Sequence, residues 1–442
     1  MSNTASEGAG EAMGDGHGMH QLVARLYPLC RSITGDGLRQ TLAIIGQEID
    51  LAVYEVPSGT QVLDWTVPKE WNIRDAYVKD RQGRRVIDFQ ACNLHVVSYS
   101  VPVRRTMPLA ELRPRLHTLP DHPDWVPYRT SYYREDWGFC LSHRQLGDLA
   151  DGDYEVCVDS TLRDGHLTFA ECFIPGQTSD EVLISCHACH PSLANDNLSG
   201  IAVATWLAKR LRASSPRPRY SYRFLFIPGT IGSITWLALH EAQLERVRHG
   251  LVLACAGDPG PLTYKRSRRG VAEIDQVMRH VLARSGRPHE VVEFSPYGYD
   301  ERQFCSPGFD LPVGCLSRTP FARYPEYHTS ADNLDLVRPE FLQDSLKTCW
   351  EAVQVLEGNR RYRNLSPKGE PQLGRRGLYG SLGGRSDTEA RQMAMLWVLN
   401  LSDGGHSLLD VAERSKLPFA LVAEVAAVLE EAGLLAPDRA AP

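Results

Sequence analysis

The feature that most constrains the fold is a regular alternation of strand-like and helix-like segments in the middle of the chain. Short apolar runs, typical of strands buried on both faces, alternate with stretches whose apolar residues recur every three or four positions. Strands are predicted at 182–187, 223–227, 251–256 and 313–316, and helices at 198–211, 234–244 and 275–285. Such alternation predicts an α/β domain with a mostly parallel sheet.

The preceding sequence has a different character. Residues 1–17 are polar and glycine-rich, so we expect a disordered tail there. Between residues 65 and 140, β-branched and aromatic residues alternate with polar ones, and Pro and Gly recur at short intervals. This pattern predicts a small all-β module. Because helical patterns precede the module and the sheet follows it, we expect an insertion into a domain built from residues 18–64 and 141–365.

The C-terminal part of the chain predicts a separate helical unit. Residues 366–385 are rich in Pro, Gly and basic side chains and are interpreted as a linker. Three helical patterns follow within 386–442, with Ser407 expected as an N-cap and Gly433 as a C-cap. Their spacing is similar to that of a winged helix. The third helix contains three Glu and no Lys or Arg, so we expect no contact with nucleic acid.

Composition and charge narrow the function further. The net charge of -6 gives no electrostatic reason to expect binding to nucleic acid or to an anionic membrane. No apolar run approaches the roughly 20 residues that span a bilayer, and we recognise no secretory leader. The 11 cysteines are scattered, which favours reduced thiols over a disulfide framework. We therefore expect a cytoplasmic protein without a membrane partner.

The chemistry is concentrated where the strand predicted at 182–187 ends. The segment SCHACHPSLANDNLSG, from Ser185 to Gly200, contains two imidazoles, two thiols and a carboxylate. Imidazole and carboxylate are standard zinc ligands. Each residue alone would more often be structural, but a packed core avoids clustered titratable groups unless they pair or bind metal. Asp258 and His328 each follow another strand, so they can converge on the same edge of the sheet.

Four motifs carry a resemblance to a known family: HACHPSLANDNLSG, GDPGPLTYKRSRRG, YGYDERQFCSPGFDLPVGCLSRTP and YPEYHTSADNLDLV. They resemble bacterial aminopeptidase-like proteins of the zinc aminopeptidase clan, over nearly the whole chain from about residue 19. The resemblance implies a mixed, mostly parallel sheet flanked by helices, an inserted small β domain and a C-terminal winged helix.

The resemblance also implies a ligand set for zinc. His187 matches the first zinc-binding His, Asp196 the Asp that bridges two ions in dinuclear members, Asp258 a third ligand and His328 the final His. One zinc ion is expected, and a second is left open. His190 is left either as a ligand or as a neighbour of the ligands.

One departure from the family pattern bears on catalysis. The clan usually places a pair of acidic residues after the next strand, the first as general base and the second as a metal ligand. Gly229 and Thr230 occupy these positions in this chain. We expect Glu326 or Glu301 to take over the proton transfer.

Three further residues are expected to bind substrate. Arg302 can form a bidentate pair with a carboxylate, and Tyr299, from the same motif, and His190 are the other two expected contacts. The substrate is expected to be a small molecule or a short peptide.

The sequence leaves several functions open. The first is a zinc-dependent, aminopeptidase-like hydrolase that cleaves an amide or peptide bond with water whose pKa the metal lowers. The second is a catalytically silent member that binds a small ligand, and the third is an acyl-transfer or cyclisation enzyme on the same fold. A regulator acting through the winged helix is disfavoured by its acidic third helix. A homo-oligomer contact through the insertion or the winged helix is also left open.

Overall fold

The computed structural model describes residues 4–378 and 388–438. Within these residues the chain forms two compact units. The first runs to Asp275 and includes Ser285–Thr348, and the second combines Gln276–Arg284 with the residues from Cys349 onward. None of the helices in the described ranges has the length and apolarity needed to cross a membrane.

Up to Gly358 the chain consists mainly of strands joined by helices and loops. The strands are β1 (Ala52–Pro57), β2 (Gln61–Val62), β3 (Trp65–Thr66), β4 (Glu70–Lys79), β5 (Arg85–Asp88), β6 (Val103–Pro108), β7 (Leu116–His117), β8 (Phe139–Cys140), β9 (Asp153–Arg163), β10 (His166–Ile174), β11 (Glu181–His187), β12 (Ser221–Ile227), β13 (Val247–Leu253), β14 (Leu262–Lys265), β15 (His289–Val292) and β16 (Val313–Ser317). The helices are α1 (Thr4–Leu26), α2 (Asp36–Ile45), α3 (Leu109–Leu112), α4 (His143–Gly147), α5 (Gly200–Ala213), α6 (Ile231–His240), α7 (Glu273–Arg284), α8 (Glu301–Phe304) and α9 (Pro339–Gly358). Short helical turns lie at Asn93–His95, Arg113–Arg115, Ala194–Ser199 and Glu241–Arg246.

An eight-stranded mixed sheet forms the centre of the first unit, in the order β1-β10-β12-β11-β13-β16-β14-β15. The four central strands β12, β11, β13 and β16 are parallel, whereas β1, β10 and β14 pair antiparallel with their neighbours on the central side. All seven strands and helices predicted in the alternating region are present, with shifted ends. The predicted α/β fold with a mixed sheet is therefore confirmed.

The connections around β11 create a crevice at the carboxyl ends of the central strands of this sheet. The chain passes from β11 to its neighbour β12 on one side, and from β12 across β11 to β13 on the other. Because such crossovers are right-handed, α5 and α6 lie on opposite faces of the sheet. The carboxyl ends of β11 and β12 therefore open into the kind of crevice where α/β sheets bind ligands.

The β module is inserted between β1 and β10, which pair with each other in the main sheet. Its own four-stranded sheet has the order β5-β4-β9-β6, and β9 pairs with β4 along nearly its whole length. The module therefore extends to Arg163, beyond the expected end at residue 140. The alternating residues of β9 had been assigned to the main domain, because a strand pattern does not reveal which sheet its strand joins.

Helix α1 begins at Thr4 and so includes most of the stretch that was expected to be a disordered tail. Its glycines permit close packing, since a Cβ atom on Gly18 would lie 2.6 Å from the Trp206 ring. Asp15 forms an ion pair with Arg210 at 2.6 Å. Gly18 therefore marks a close approach of α5 to α1.

The second unit contains the predicted three-helix arrangement. Its helices are α10 (Thr388–Leu401), α11 (Leu408–Ser415) and α12 (Phe419–Glu431), and its strands are β17 (Arg361–Asn364), β18 (Asp403–Ser407) and β19 (Leu435–Pro437), in the sheet order β18-β17-β19. The Ser407 hydroxyl accepts a hydrogen bond from Asp410 N at 3.2 Å, and Gly433 has a φ of 69°, so both predicted caps are present. β17 precedes the predicted linker, which contains a short turn at Gly374–Arg376 and whose residues 379–385 lie outside the described residues.

Candidate metal centre

Three imidazoles surround one carboxylate at the carboxyl end of β11. Asp196 is fully buried in the turn that leads into α5. Its Oδ1 lies 2.9 Å from Nε2 of His187, the last residue of β11, and its Oδ2 lies 3.0 Å from Nε2 of His328. His190 Nδ1 is 3.9 Å from the same Oδ2. The structure thus brings His187 and Asp196, from one motif, together with His328 from a distant part of the sequence.

His190 is the imidazole best suited to remain neutral. Burial lowers the pKa of His190 to about 3, and the neighbouring His187 and His328 rings contribute to the shift. Its Nδ1 atom is buried and has no hydrogen-bond partner among the described residues. A neutral imidazole with a free lone pair is the form that binds metal ions.

These side chains satisfy the requirements of a zinc site. Burial opposes ionisation of Asp196, but its hydrogen bonds with His187 and His328 hold the pKa of its carboxyl well below the usual value. Ligand atoms of His187, His190 and Asp196 all lie within 4.8 Å of one another. A tetrahedral zinc with ligands at about 2.0–2.1 Å keeps its donor atoms roughly 3.3 Å apart, so small side-chain shifts would suffice. His328 lies outside this group of three, on the Oδ2 side of Asp196.

Asp258 is the expected ligand that the structure does not bring to the centre. Its Oδ1 accepts hydrogen bonds from Gly260 N and the Thr319 hydroxyl, at 2.8 Å and 2.5 Å. Its Oδ2 accepts from Thr319 N at 3.1 Å and from Asn195 Nδ2 at 3.0 Å. Both oxygens are therefore engaged in joining the loops after β13 and β16 to the residue that precedes Asp196.

Asp332 fixes the backbone on which Asp196 stands. One of its oxygens accepts from Asn195 N at 2.6 Å and the other from Asp196 N at 3.0 Å. Burial, with the nearby Asp196, raises the pKa of Asp332 to about 8. The motif that contains His328 also contains Asp332, but sequence reasoning assigned no role to it.

The inserted module contributes the support for His328. Tyr128 N donates to the His328 carbonyl oxygen at 2.8 Å, and Ser330 N donates to the Val126 carbonyl oxygen at 2.8 Å. The Ser330 hydroxyl accepts from Val126 N at 3.0 Å. The Tyr128 ring also packs edge-on against His190 and His328, at centroid distances of 5.3 Å and 5.1 Å. Residues 126–128 therefore hold the loop that carries the last imidazole.

A cavity of about 170 Å³ adjoins these imidazoles. Its aromatic wall consists of Tyr297, Tyr299, Phe321 and Tyr327. The Tyr299 ring stacks on His187 with centroids 5.1 Å apart, and its hydroxyl lies 3.0 Å from the Cys255 thiol. A cavity of ~150 Å³ can hold a benzene-sized ligand. The space therefore suits one ring or one amino-acid side chain.

The two glutamates expected to transfer protons do not line this cavity. Glu301 is fully buried and forms an ion pair with Lys265. Glu326 accepts hydrogen bonds from Thr329 through its backbone carbonyl. Arg302, which was expected to bind substrate, does line the cavity, and its Nε is buried without a hydrogen-bond partner among the described residues.

Asp300 lines the cavity beside Gly229, which the sequence resemblance places where the clan usually has its general base. A Cβ atom on Gly229 would lie 3.2 Å from the His187 Cβ and 3.4 Å from Asp300 Oδ2. The Ser233 hydroxyl donates to Asp300 Oδ1 at 2.9 Å, and Oδ2 has no hydrogen-bond partner in the described structure. Burial raises the pKa of Asp300 to about 6. Asp300 lies within one of the family motifs, but sequence reasoning assigned the roles to its neighbours.

Comparison with known families accounts for nearly the whole described chain. A family model described as a domain of unknown function (DUF4910) matches residues 20–359. A second model, described as a winged helix-turn-helix, matches residues 360–437. The winged-helix prediction is confirmed. The match begins at residue 360 and so includes β17, whereas the predicted domain began only at residue 386.

Relatives agree with this architecture. A Clostridium acetobutylicum protein, named as a candidate polysaccharide biosynthesis protein with an aminopeptidase-like domain, is 52% identical over 417 residues, covering 94% of this chain and 95% of that protein. A crystal structure of a candidate peptidase from Clostridium acetobutylicum has a TM-score of 0.92 at 48% identity, covering 98% of this chain and 99% of that one. A zinc aminopeptidase from Bacillus subtilis has a TM-score of 0.56 at 13% identity, covering 78% and 94%. This last likeness confirms the aminopeptidase-like fold.

Proposed function

The chain belongs to the DUF4910 family and combines an aminopeptidase-like fold with a winged helix-turn-helix, and from that premise we propose that it is a zinc-dependent hydrolase of an amide bond in a small substrate. The observation that carries the proposal is the unpartnered, buried Nδ1 atom of His190 beside His187 and Asp196. A buried polar atom without a partner costs roughly 1–3 kcal/mol, and coordination to a metal would remove that cost.

The proposed zinc ligands are His187, His190 and Asp196, with His328 on the other oxygen of Asp196. Zinc bound there would polarise a substrate carbonyl and lower the pKa of water. One ion is proposed, since Thr230 stands where the carboxylate for a second ion is expected. The 11 cysteines are free thiols, which supports the proposal of a cytoplasmic location.

The size of the cavity supports the proposal of a small substrate. Its aromatic wall offers flat apolar faces to one ring or side chain, and Arg302 offers donors to an anionic group. The Clostridium acetobutylicum relative is named for polysaccharide biosynthesis. We therefore propose two substrate classes for testing, amino-acid amides with short peptides, and N-acylated amino sugars, since both contain a hydrolysable amide.

The test combines metal content with turnover. The full-length protein, purified without chelator, should contain close to one zinc per chain, and the His187→Ala and Asp196→Asn variants should contain much less. Hydrolysis of at least one member of the two substrate classes should stop after chelation and return with added zinc. A chain that binds no zinc would refute the proposal. A zinc-bound chain that cleaves no amide in either class would instead favour the silent ligand-binding hypothesis.

A further inference from the structure

We propose that Asp300 is the catalytic proton acceptor of this site and occupies the place left by Gly229. The inference rests on the proposed function, because it requires an amide and an attacking water molecule in the same cavity. It assigns the base to Asp300, which directly precedes α8 in the segment between β15 and β16 and not in the loop after β12.

The first support is the geometry around Gly229. A Cβ atom there would meet Asp300 Oδ2 at 3.4 Å, an ordinary van der Waals contact, so a side chain at position 229 and the Asp300 carboxylate would be direct neighbours. The same Cβ atom would lie 3.2 Å from the His187 Cβ, which locates them directly beside an imidazole of the proposed zinc site. The glycine and the displaced carboxylate are therefore two parts of one arrangement.

The second support is the state of the carboxylate itself. Only 1% of Asp300 is exposed, yet its Oδ2 accepts no hydrogen bond from the described residues. Oδ1 is held by the Ser233 hydroxyl at 2.9 Å, which leaves Oδ2 oriented and free. A buried carboxylate oxygen that accepts no hydrogen bond is available to accept a proton from a water molecule in the cavity.

The neighbouring acids are unsuited to the same role. The Glu301 carboxylate is neutralised by Lys265 and does not line the cavity. Glu326 is absent from the lining as well. Asp258 already accepts four hydrogen bonds. Among the described residues, Asp300 is the acid that lines the cavity, and its Oδ2 has no hydrogen-bond partner.

The proposed step is an ordinary hydrolysis. Asp300 Oδ2 accepts a proton from the attacking water as its oxygen forms a bond to the amide carbonyl carbon. The protonated carboxyl then gives that proton to the amide nitrogen as the C–N bond breaks. The products are a carboxylic acid and an amine, so water is the only co-reactant and the Asp300 carboxylate is regenerated.

The experiment begins with Asp300→Asn, which keeps the shape and removes the proton acceptor. Zinc content should equal that of the wild type, because Asp300 is not a proposed ligand, while kcat for the amide substrate should fall by about 100-fold or more. KM should change little. Asp310→Asn serves as the matched control, since Asp310 pairs with Arg268 outside the cavity and both readouts should stay at the wild-type level.

A relocation variant separates a catalytic role from a structural one. In Gly229→Glu/Asp300→Ala the carboxylate is supplied from the β12 loop, and the contact with Asp300 Oδ2 is removed. Activity should recover by about tenfold relative to Asp300→Ala, with zinc retained in both. A merely structural requirement for Asp300 would not be met from the other loop.

The outcomes distinguish this inference from the proposed function. A wild-type chain without zinc, or without turnover, refutes the function and the inference together. An active wild type with an Asp300→Asn variant within about threefold in kcat overturns the inference alone. Loss of zinc from Asp300→Asn also overturns it, since Asp300 would then be a ligand. A zinc-retaining relocation variant no more active than Asp300→Ala contradicts it as well.

Discussion

Replacing His190 by Ala should change the stability of the zinc-free protein only slightly but should remove most of the additional stability that bound zinc provides. In the zinc-free chain the substitution empties a largely buried space, which typically costs ~2–5 kcal/mol for a large side chain. It also removes the unpartnered Nδ1 atom, whose burial costs roughly 1–3 kcal/mol. Because these effects oppose each other, the zinc-free variant should unfold only slightly below the zinc-free wild type.

The effect in the presence of zinc should be much larger. At a free zinc concentration 100 times Kd, binding stabilises the folded protein by ~2.7 kcal/mol. Losing a hydrogen-bond partner of a metal ligand typically weakens metal binding by ~10–100-fold. Because losing the ligand itself costs more, we take the upper value, roughly 100-fold. The same zinc concentration then equals the new Kd, and the stabilisation falls to ~0.4 kcal/mol.

Thermal unfolding in zinc-buffered and chelator-containing solutions measures this difference. The wild type should show a clear zinc-dependent rise in Tm, and His190→Ala should lose most of it. His289→Ala is the matched control, because His289 is exposed on β15 and should leave the rise intact. If His190→Ala retained the full zinc-dependent rise, His190 would not be a ligand and the observation that carries the proposed function would be lost.

Three further outcomes follow from other contacts. Ser330→Ala removes the hydroxyl that accepts a hydrogen bond from Val126 N, a loss of ~1 kcal/mol. Zinc affinity, measured in competition with a zinc indicator, should therefore fall by about fivefold. Unchanged affinity would show that the insertion does not help to position His328. Arg39 lowers the pKa of Glu70 from 4.5 to about 2, so this pair stabilises fully above the unfolded pKa and its contribution disappears as pH falls through 2. Glu70→Gln should therefore be less stable than wild type at neutral pH and lose less stability between pH 4.5 and 2, measured by denaturant unfolding; parallel stability curves would contradict this. Finally, duplex DNA at low salt should not shift in a gel with the full chain, because the exposed face of α12 contains Glu and Ala but no basic residue; tight binding would overturn this.

The sequence allowed the sheet and part of the site to be predicted because both follow from local patterns. Apolar runs marked the central strands, and parallel strands place the residues that follow them at one edge. His187, Asp196 and His328 meet there. The placement of Asp258 could not be predicted, because it lies five positions beyond the end of β13, where hydrogen bonds within the loop decide its direction.

The choice between Asp300 and Glu301 shows what local patterns leave out. The two acids are consecutive at the start of α8, where adjacent side chains point about 100° apart. Only one of them can face the cavity, and the other meets Lys265 of β14. A sequence gives the order of these residues but not the rotation of the helix that carries them. The partnership between Gly229 and Asp300 likewise depends on atoms from segments about 70 positions apart.

The cost of burying polar atoms argues against a protein that binds nothing in this cavity. His190, Asp300 and Arg302 all line the cavity, and each has a buried nitrogen or oxygen without a hydrogen-bond partner among the described residues. Each such atom costs roughly 1–3 kcal/mol, and apolar side chains of similar size would avoid that cost. A fold that only needed packing would be more stable with apolar groups at these three positions. Under the proposed function, His190 Nδ1 would bind the metal, Asp300 Oδ2 would accept a proton and Arg302 Nε would donate a hydrogen bond to an anionic group. One bound metal with one anionic amide substrate would then satisfy all three atoms.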